Sequence, residues 1–284
     1  MISRVAREKM WFAGFRAAAW LVLSFLFTFL LILCLEGARV ISWEFLTQPP
    51  REGMTQGGIF PAILGTLCLS LGAVLVAFPL GVMTAIYLVF YAPRNPLTQA
   101  IRVSISNLAG TPSIVFGLFG LALFVKTFGF GVSILSGALT LGLLILPIII
   151  KASEEALKAV PKEFLEASYA LGATKLQTIC RVVLPAASGG ILTGVILSLA
   201  RAAGETAPIL FTAASFYATR LPRSPLDETL ALPFHIFALM TEGTDPEAHT
   251  RIAFGATLVL LALVLSLNLV AIIQRYRLQR GKGW

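Results

Sequence analysis

Residues 160–185 read VPKEFLEASYALGATKLQTICRVVLP, and this stretch organises everything around it. Pro161 suits the first position of a helix, where its missing N–H costs nothing. Phe164, Ala167, Ser168 and Leu171 follow at i, i+3, i+4 and i+7, a narrow face of small residues from which Phe164 is expected to protrude. Gly172 supplies a left-handed stop. Thr174 with Gln177 forms a capping box for a second helix, expected to end before Pro185. The segment therefore predicts a helix–turn–helix. Short helices with a knob on one face suit insertion into a groove on a partner protein, the rival reading being an amphipathic helix resting on lipid.

On either side of this stretch the chain is strongly apolar. Of its 284 residues 57% are hydrophobic and only 13% charged, about half the charge of an ordinary soluble domain. Continuous apolar runs cover 17–35, 64–91, 108–125, 133–150, 186–214 and 252–274. Each reaches or approaches the roughly 20 residues that cross a bilayer as a helix, and none alternates as a membrane β-strand does. The expected fold is all-α and polytopic, with about six transmembrane helices. Residues 17–284 form one membrane domain after a cytoplasmic segment 1–16.

The net charge of +8 is distributed as the positive-inside rule describes, so no nucleic-acid surface is needed. Arg4, Arg7, Lys9 and Arg16 precede the first run, and Arg94 and Arg102 follow the second. Lys151, Lys158, Lys162, Lys175 and Arg181 follow the fourth, and Arg275, Arg277, Arg280 and Lys282 close the chain. The intervening segments 36–63, 126–132 and 215–251 carry fewer, the last diluted by five acids. Both termini and the inner segments 92–107 and 151–185 are thus expected in the cytoplasm, with a long outer loop at 215–251. The first run is longer than a signal-peptide core and lacks a small-x-small cleavage site, so it reads as a retained helix. Cys34, Cys68 and Cys180 have no metal spacing. Trp11, Trp20, Trp43 and Tyr91 fall near span ends, as interfacial anchors do.

Glu166-Ala167-Ser168, Gly172 three residues on, then Val182, Leu184 and Pro185 resemble the EAA signature of bacterial ABC importer permeases. Ser168 replaces the second Ala of that signature, and Val182 its Ile. The resemblance implies the type I importer permease fold, with 151–185 as a coupling loop that docks into a separate cytoplasmic ATPase. Phe164, Glu166, Ala167, Ser168, Gly172, Leu184 and Pro185 would then serve ATPase coupling. The chain has no G-x-x-x-x-G-K-[ST] loop of its own, so it is not expected to hydrolyse ATP, and no cofactor is assigned.

The fifth run contains Leu199-Ala200-Arg201-Ala202-Ala203-Gly204-Glu205-Thr206-Ala207-Pro208. Counted from Pro185, Arg201 lies roughly 24 Å along the helix, where a charge costs on the order of 2.5–3.5 kcal/mol. Such a residue faces a cavity or a partner, and Glu205 one turn later can pair with it. The pair could simply pin helices together; equally, the planar fork of Arg suits an oxyanion. Together with Gly57-Gly58-Ile59, Phe78-Pro79-Leu80-Gly81, Ala109–Leu118 and Leu232-Pro233-Phe234-His235-Ile236, this segment resembles the A-subunit family of bacterial phosphate (Pst) permeases over about 57–236. The resemblance implies a bacterial inner-membrane phosphate importer. Its partners would be a homologous second permease, two ATPase subunits and an external phosphate-binding protein, with Arg201, Glu205 and Lys151 along the substrate path. Lys151 stands where that family usually has Arg.

Two rivals carry different expectations. A sulfate or molybdate permease would share the coupling loop but lack the Ala-Arg-x-x-Gly-Glu-Thr-Ala-Pro segment, and an ion-driven secondary transporter would lack the coupling loop. His235 and His249 lie in the outer loop without a second ligand nearby, so no metal is assigned. Gly110-Thr111-Pro112-Ser113 in the third run reads either as an ordinary kink or as a broken helix end beside a pore.

Overall fold

Helix α6, Ile134–Lys158, is the axis of the molecule. Of its most apolar stretch 61% is buried, against 6% for the first and last helices. The structure, a computed structural model, describes residues 4–215, 220–243 and 245–280, without the side chains of 5–7 and 278–280. Lys282 and the side chains of Arg7 and Arg280, part of the expected basic flanks, lie outside the described residues.

In chain order the other helices are α1 Arg4–Ala38, α2 Trp43–Thr47, α3 Phe60–Ile86, α4 Pro96–Ala109, α5 Ser113–Gly120, α7 Lys162–Ala170, α8 Lys175–Thr178, α9 Leu184–Gly204, α10 Ala207–Thr212, α11 Leu232–Glu242 and α12 Pro246–Arg280. A two-stranded hairpin, Pro50–Arg51 with Gln56–Gly57, precedes α3. Three π-helical turns, Tyr87–Tyr91, Leu121–Thr127 and Ile179–Val183, extend α3 and α5 and join α8 to α9. Close approach of small residues holds the centre together, as is usual where lipid removes the hydrophobic drive between helices. A Cβ on Gly81 would fall 2.6 Å from Ile149 of α6, and one on Gly194 of α9 would fall 2.4 Å from the Ala152 Cβ. On the outside, α1 leaves Trp11, Trp20 and Phe25 more than 60% exposed.

Five helices are long and apolar enough to span a membrane, and six if a bent pair counts as one. That pair is α4 and α5, which meet at 103°, so the third span is broken and the segment 92–107 is largely helical. Pro112 is the cause: its ring disfavours helical backbone at Thr111, and α5 restarts at Ser113. The fifth run is likewise two helices. Pro208 has no N–H to give the Gly204 carbonyl, so α9 ends at Gly204, Glu205 turns extended and α10 begins with Pro208 in its first turn.

The expected outer loop 215–251 is only partly a loop. Leu230, Ala231 and Leu232 are buried in the central core, and the Leu232 N–H donates to Thr66 Oγ1 at 2.8 Å. Helix α11 follows, then the start of α12, whose His249 clamps the hairpin. His249 Nδ1 accepts from the Asp245 N–H at 3.2 Å, which leaves the proton on Nε2 to donate to the Gly53 carbonyl at 3.0 Å. That carbonyl belongs to a left-handed turn, Glu52–Met54, with φ of 48°, 62° and 69°. His235 is buried as well, and neither ring nitrogen has a hydrogen-bond partner among the described residues. Burial pushes its imidazole down to about 4, and His249 adds to the shift.

Candidate functional site

The helix–turn–helix forms, with one departure at Phe164. The capping box is present: Thr174 N–H donates to Gln177 Oε1 at 2.9 Å, and Gln177 N–H to Thr174 Oγ1 at 3.3 Å. Gly172 adopts φ +80° in open space. Phe164, however, does not protrude. It is half-buried among Leu157, Val160 and Val183, where a large ring on an inward face packs most area. Ser168 is also buried and shares a 2.9 Å hydrogen bond with Thr178, locking α7 against α8. What projects instead is the turn: Leu171 is 90% exposed, flanked by Tyr169 and Leu176. Glu166 and Ala167 are exposed beside it.

The second helix of the pair does not stop before Pro185. It runs on through the π-turn Ile179–Val183 into α9, with Leu184 and Pro185 in the first turn of that helix. The wider turn lets the chain absorb a proline that would otherwise clash with the carbonyl four residues back. Lys175 ties the hairpin to the end of α3, donating to the Phe90 carbonyl and lying 4.4 Å above the Tyr91 ring.

At the far end of the same continuous helix lies the charged pair. Arg201 Nε donates to Glu205 Oε1 at 3.2 Å, with the Arg side chain 41% exposed and the Glu 17%. Glu205 occupies the break between α9 and α10. The second half of the broken third span packs beside this break: a Cβ on Gly117 of α5 would fall 2.9 Å from the Ala207 carbonyl. Two discontinuous helices therefore meet where the chain exposes a charge inside an apolar span, the arrangement membrane transporters use to line a substrate route.

Lys151 is not brought to this pair. Gly190 and Gly194 of α9 face Ala156 and Ala152 of α6, so Lys151 stands level with about residue 194, roughly 10 Å short of Arg201 along the helix. It is exposed and has no ion pair among the described residues. A charge outside the expected substrate path lies deeper. Glu154, 8% exposed on α6, pairs with Arg102 of α4 and, at 3.1 Å, with Lys158. Arg102 also donates to the Leu88 carbonyl at 2.7 Å. The signal was available: Ile150, Glu154 and Leu157 fall at i, i+4 and i+7, which puts the acid on the buried stripe.

The family described as the binding-protein-dependent transport system inner membrane component matches residues 77–283. The probable ABC transporter permease protein YqgI of Bacillus subtilis is 37% identical over 264 residues, covering 88% of this chain and 87% of the relative. The phosphate transport system permease protein PstA 1 of Mycobacterium tuberculosis H37Rv is 42% identical over 221 residues, 78% of this chain and 70% of the relative. Among solved structures, a bacterial ABC transporter that imports the polysaccharide alginate aligns over 96% of this chain and 97% of its own, with a TM-score of 0.63 at 15% identity. The MetNI methionine transporter in an inward-facing state aligns over 78% and 94%, with a TM-score of 0.57 at 17% identity.

Proposed function

The chain belongs to the family of inner-membrane components of binding-protein-dependent transport systems, and from that premise we propose that it is the permease of an ATP-driven importer for inorganic phosphate. The observation that carries the substrate is the 42% identity to a phosphate permease over most of the chain. The half-exposed Arg201, one turn before the break between α9 and α10, supports it. A guanidinium offers two parallel N–H donors to one oxyanion, and the Glu205 carboxylate beside it can accept from the P–OH that phosphate keeps near neutral pH.

In this reading the α7–α8 hairpin docks through Leu171, Tyr169 and Leu176 into a separate ATPase subunit, since exposed apolar groups at a rigid tip mark a partner contact. Gly172, Glu166 and Ala167 shape that tip, Ser168 locks it, and Leu184 and Pro185 join it to α9. ATP hydrolysis belongs to the partner. Residues 17–284 act as one membrane domain after the cytoplasmic segment 1–16, with both termini and the hairpin on the cytoplasmic side. A homologous second permease completes the route, and an external binding protein delivers phosphate to the outer side. Lys151, lower on the same route, would meet phosphate after Arg201. The test is reconstitution of the chain with its candidate partners in vesicles. Phosphate uptake that requires both ATP and the binding protein is expected, and ATP-independent uptake would overturn the proposal.

A further inference from the structure

Between the end of α3, the start of α4 and the α6–α7 corner lies a cavity of about 780 Å³. Arg94, Arg102, Lys158 and Lys162 line it, and among the described residues no acidic side chain does. Two of the four cations are already engaged. Arg102 holds Glu154 and the Leu88 carbonyl, and Lys158 holds Glu154 and Glu155, each at 3.1 Å. Arg94 and Lys162 come from different elements and have no ion pair among the described residues. Both side chains are exposed and line one cavity, so their charges stand uncompensated there, and an anion in the cavity would be drawn to both. The first turn of α4, a helix of 14 residues, borders the same space through Thr98 and Gln99 and adds its positive end.

The surroundings narrow the class of anion. No residue of α4 is fully buried, and Leu97, Ile101 and Leu108 along it are exposed. That pattern suits a helix lying at a lipid surface. Apart from Asn95, the remaining side chains of the cavity wall are apolar, Leu88 and Leu157 among them. We infer that this cavity binds a phosphoryl anion between Arg94 and Lys162. Its size, apolar wall and position at the lipid surface favour the headgroup of an anionic phospholipid, as basic pockets between membrane helices do elsewhere. Free inorganic phosphate offers the same oxygens and is the other source. The inference goes beyond the transport reading, from which it takes only the side of the membrane.

The assembled transporter, stripped of lipid in detergent, is titrated separately with dioctanoyl phosphatidylglycerol, dioctanoyl phosphatidylcholine and inorganic phosphate while its melting temperature is followed. Phosphatidylglycerol is expected to stabilise the wild type. The Arg94→Gln/Lys162→Gln variant should need at least about tenfold more of it, having lost two charge-assisted contacts that solvent weakens at these exposed side chains. Arg181→Gln/Arg277→Gln removes the same charge from exposed positions and should titrate as wild type. A tenfold difference on inorganic phosphate instead of lipid would assign the site to free phosphate. Identical titrations of both double variants with every probe, or no stabilisation of wild type by any anion, would overturn the inference. Should the double variant fail to assemble, Arg94→Gln alone, in the exposed connector before α4, carries the same comparison. None of these readouts depends on transport, so the two proposals fail separately.

Discussion

Arg201 and Glu205 carry the sharpest expectations at the level of single residues. Arg201→Lys keeps the charge but replaces the two-toothed donor with a point charge. Phosphate uptake in reconstituted vesicles should fall about tenfold or more, the worth of one charge-assisted hydrogen bond. Uptake at the wild-type rate would reduce Arg201 to a counter-ion for Glu205. Glu205→Gln keeps the shape of the acid and removes its repulsion toward sulfate, which brings no proton to share. The variant should pass sulfate more readily when sulfate is supplied in excess of what the binding protein controls; collapse of phosphate transport with sulfate handling unchanged would make Glu205 a gating or structural partner instead. His235 sets a pH limit. Its folded value near 4 lies below the ordinary 6.5, so the unfolded chain binds the extra proton first as pH falls. Stability is complete above about 6.5 and is lost progressively toward 4, by about 3 kcal/mol in the limit. Melting temperatures at pH 7 and 4.5 should diverge less in His235→Leu than in wild type.

The α7–α8 hairpin belongs to the next scale. Gly172→Asp puts a Cβ at φ +80° and a charge on the apolar tip, at a strain cost of about 1 kcal/mol that the open surroundings do not worsen. The variant should retain the membrane fold yet lose co-purification with the ATPase, and normal assembly with normal uptake would refute the docking role of the tip. How legible this element was depended on the range of the forces involved. The capping box and the glycine stop are set by residues within four positions of each other, and both were readable. Which side of α7 faces inward depends on a cluster from other elements, Leu157 and Val183 among it, so Phe164 turns inward although periodicity puts it on the same face as the projecting Leu171. The buried entry into α11 was hidden for a similar reason. Leu230–Leu232 is too short to register as an apolar run, and its burial comes from Thr66, more than 160 residues away in sequence. Glu154 was readable by periodicity, but its partner on α4 was not.

For the whole molecule, the Glu154 cluster is where the broken third span is fastened to the central helix. Glu154→Gln would leave Arg102, two-thirds buried, without its partner, and should cost about 1–3 kcal/mol, allowing for its remaining access to water. A melting temperature unchanged from wild type would show that α4 is held by other contacts. The continuity of α8, its π-turn and α9 has a mechanical meaning. From Lys175 to Gly204 the backbone is one rod, and it is gripped along most of its length. Val183 and Ile191 sit in the cluster with Ala85 and Leu157, Gly190 and Gly194 abut Ala156 and Ala152, and Arg275 of α12 holds Thr193 at 2.8 Å. Roughly 39 Å of helix separates Lys175 from Arg201. A rod held at so many points has no single pivot, and bending it locally would break several contacts at once. Under the proposed docking, a push at the hairpin would therefore reach Arg201 as travel of the whole column, the action of a piston rod in its sleeve.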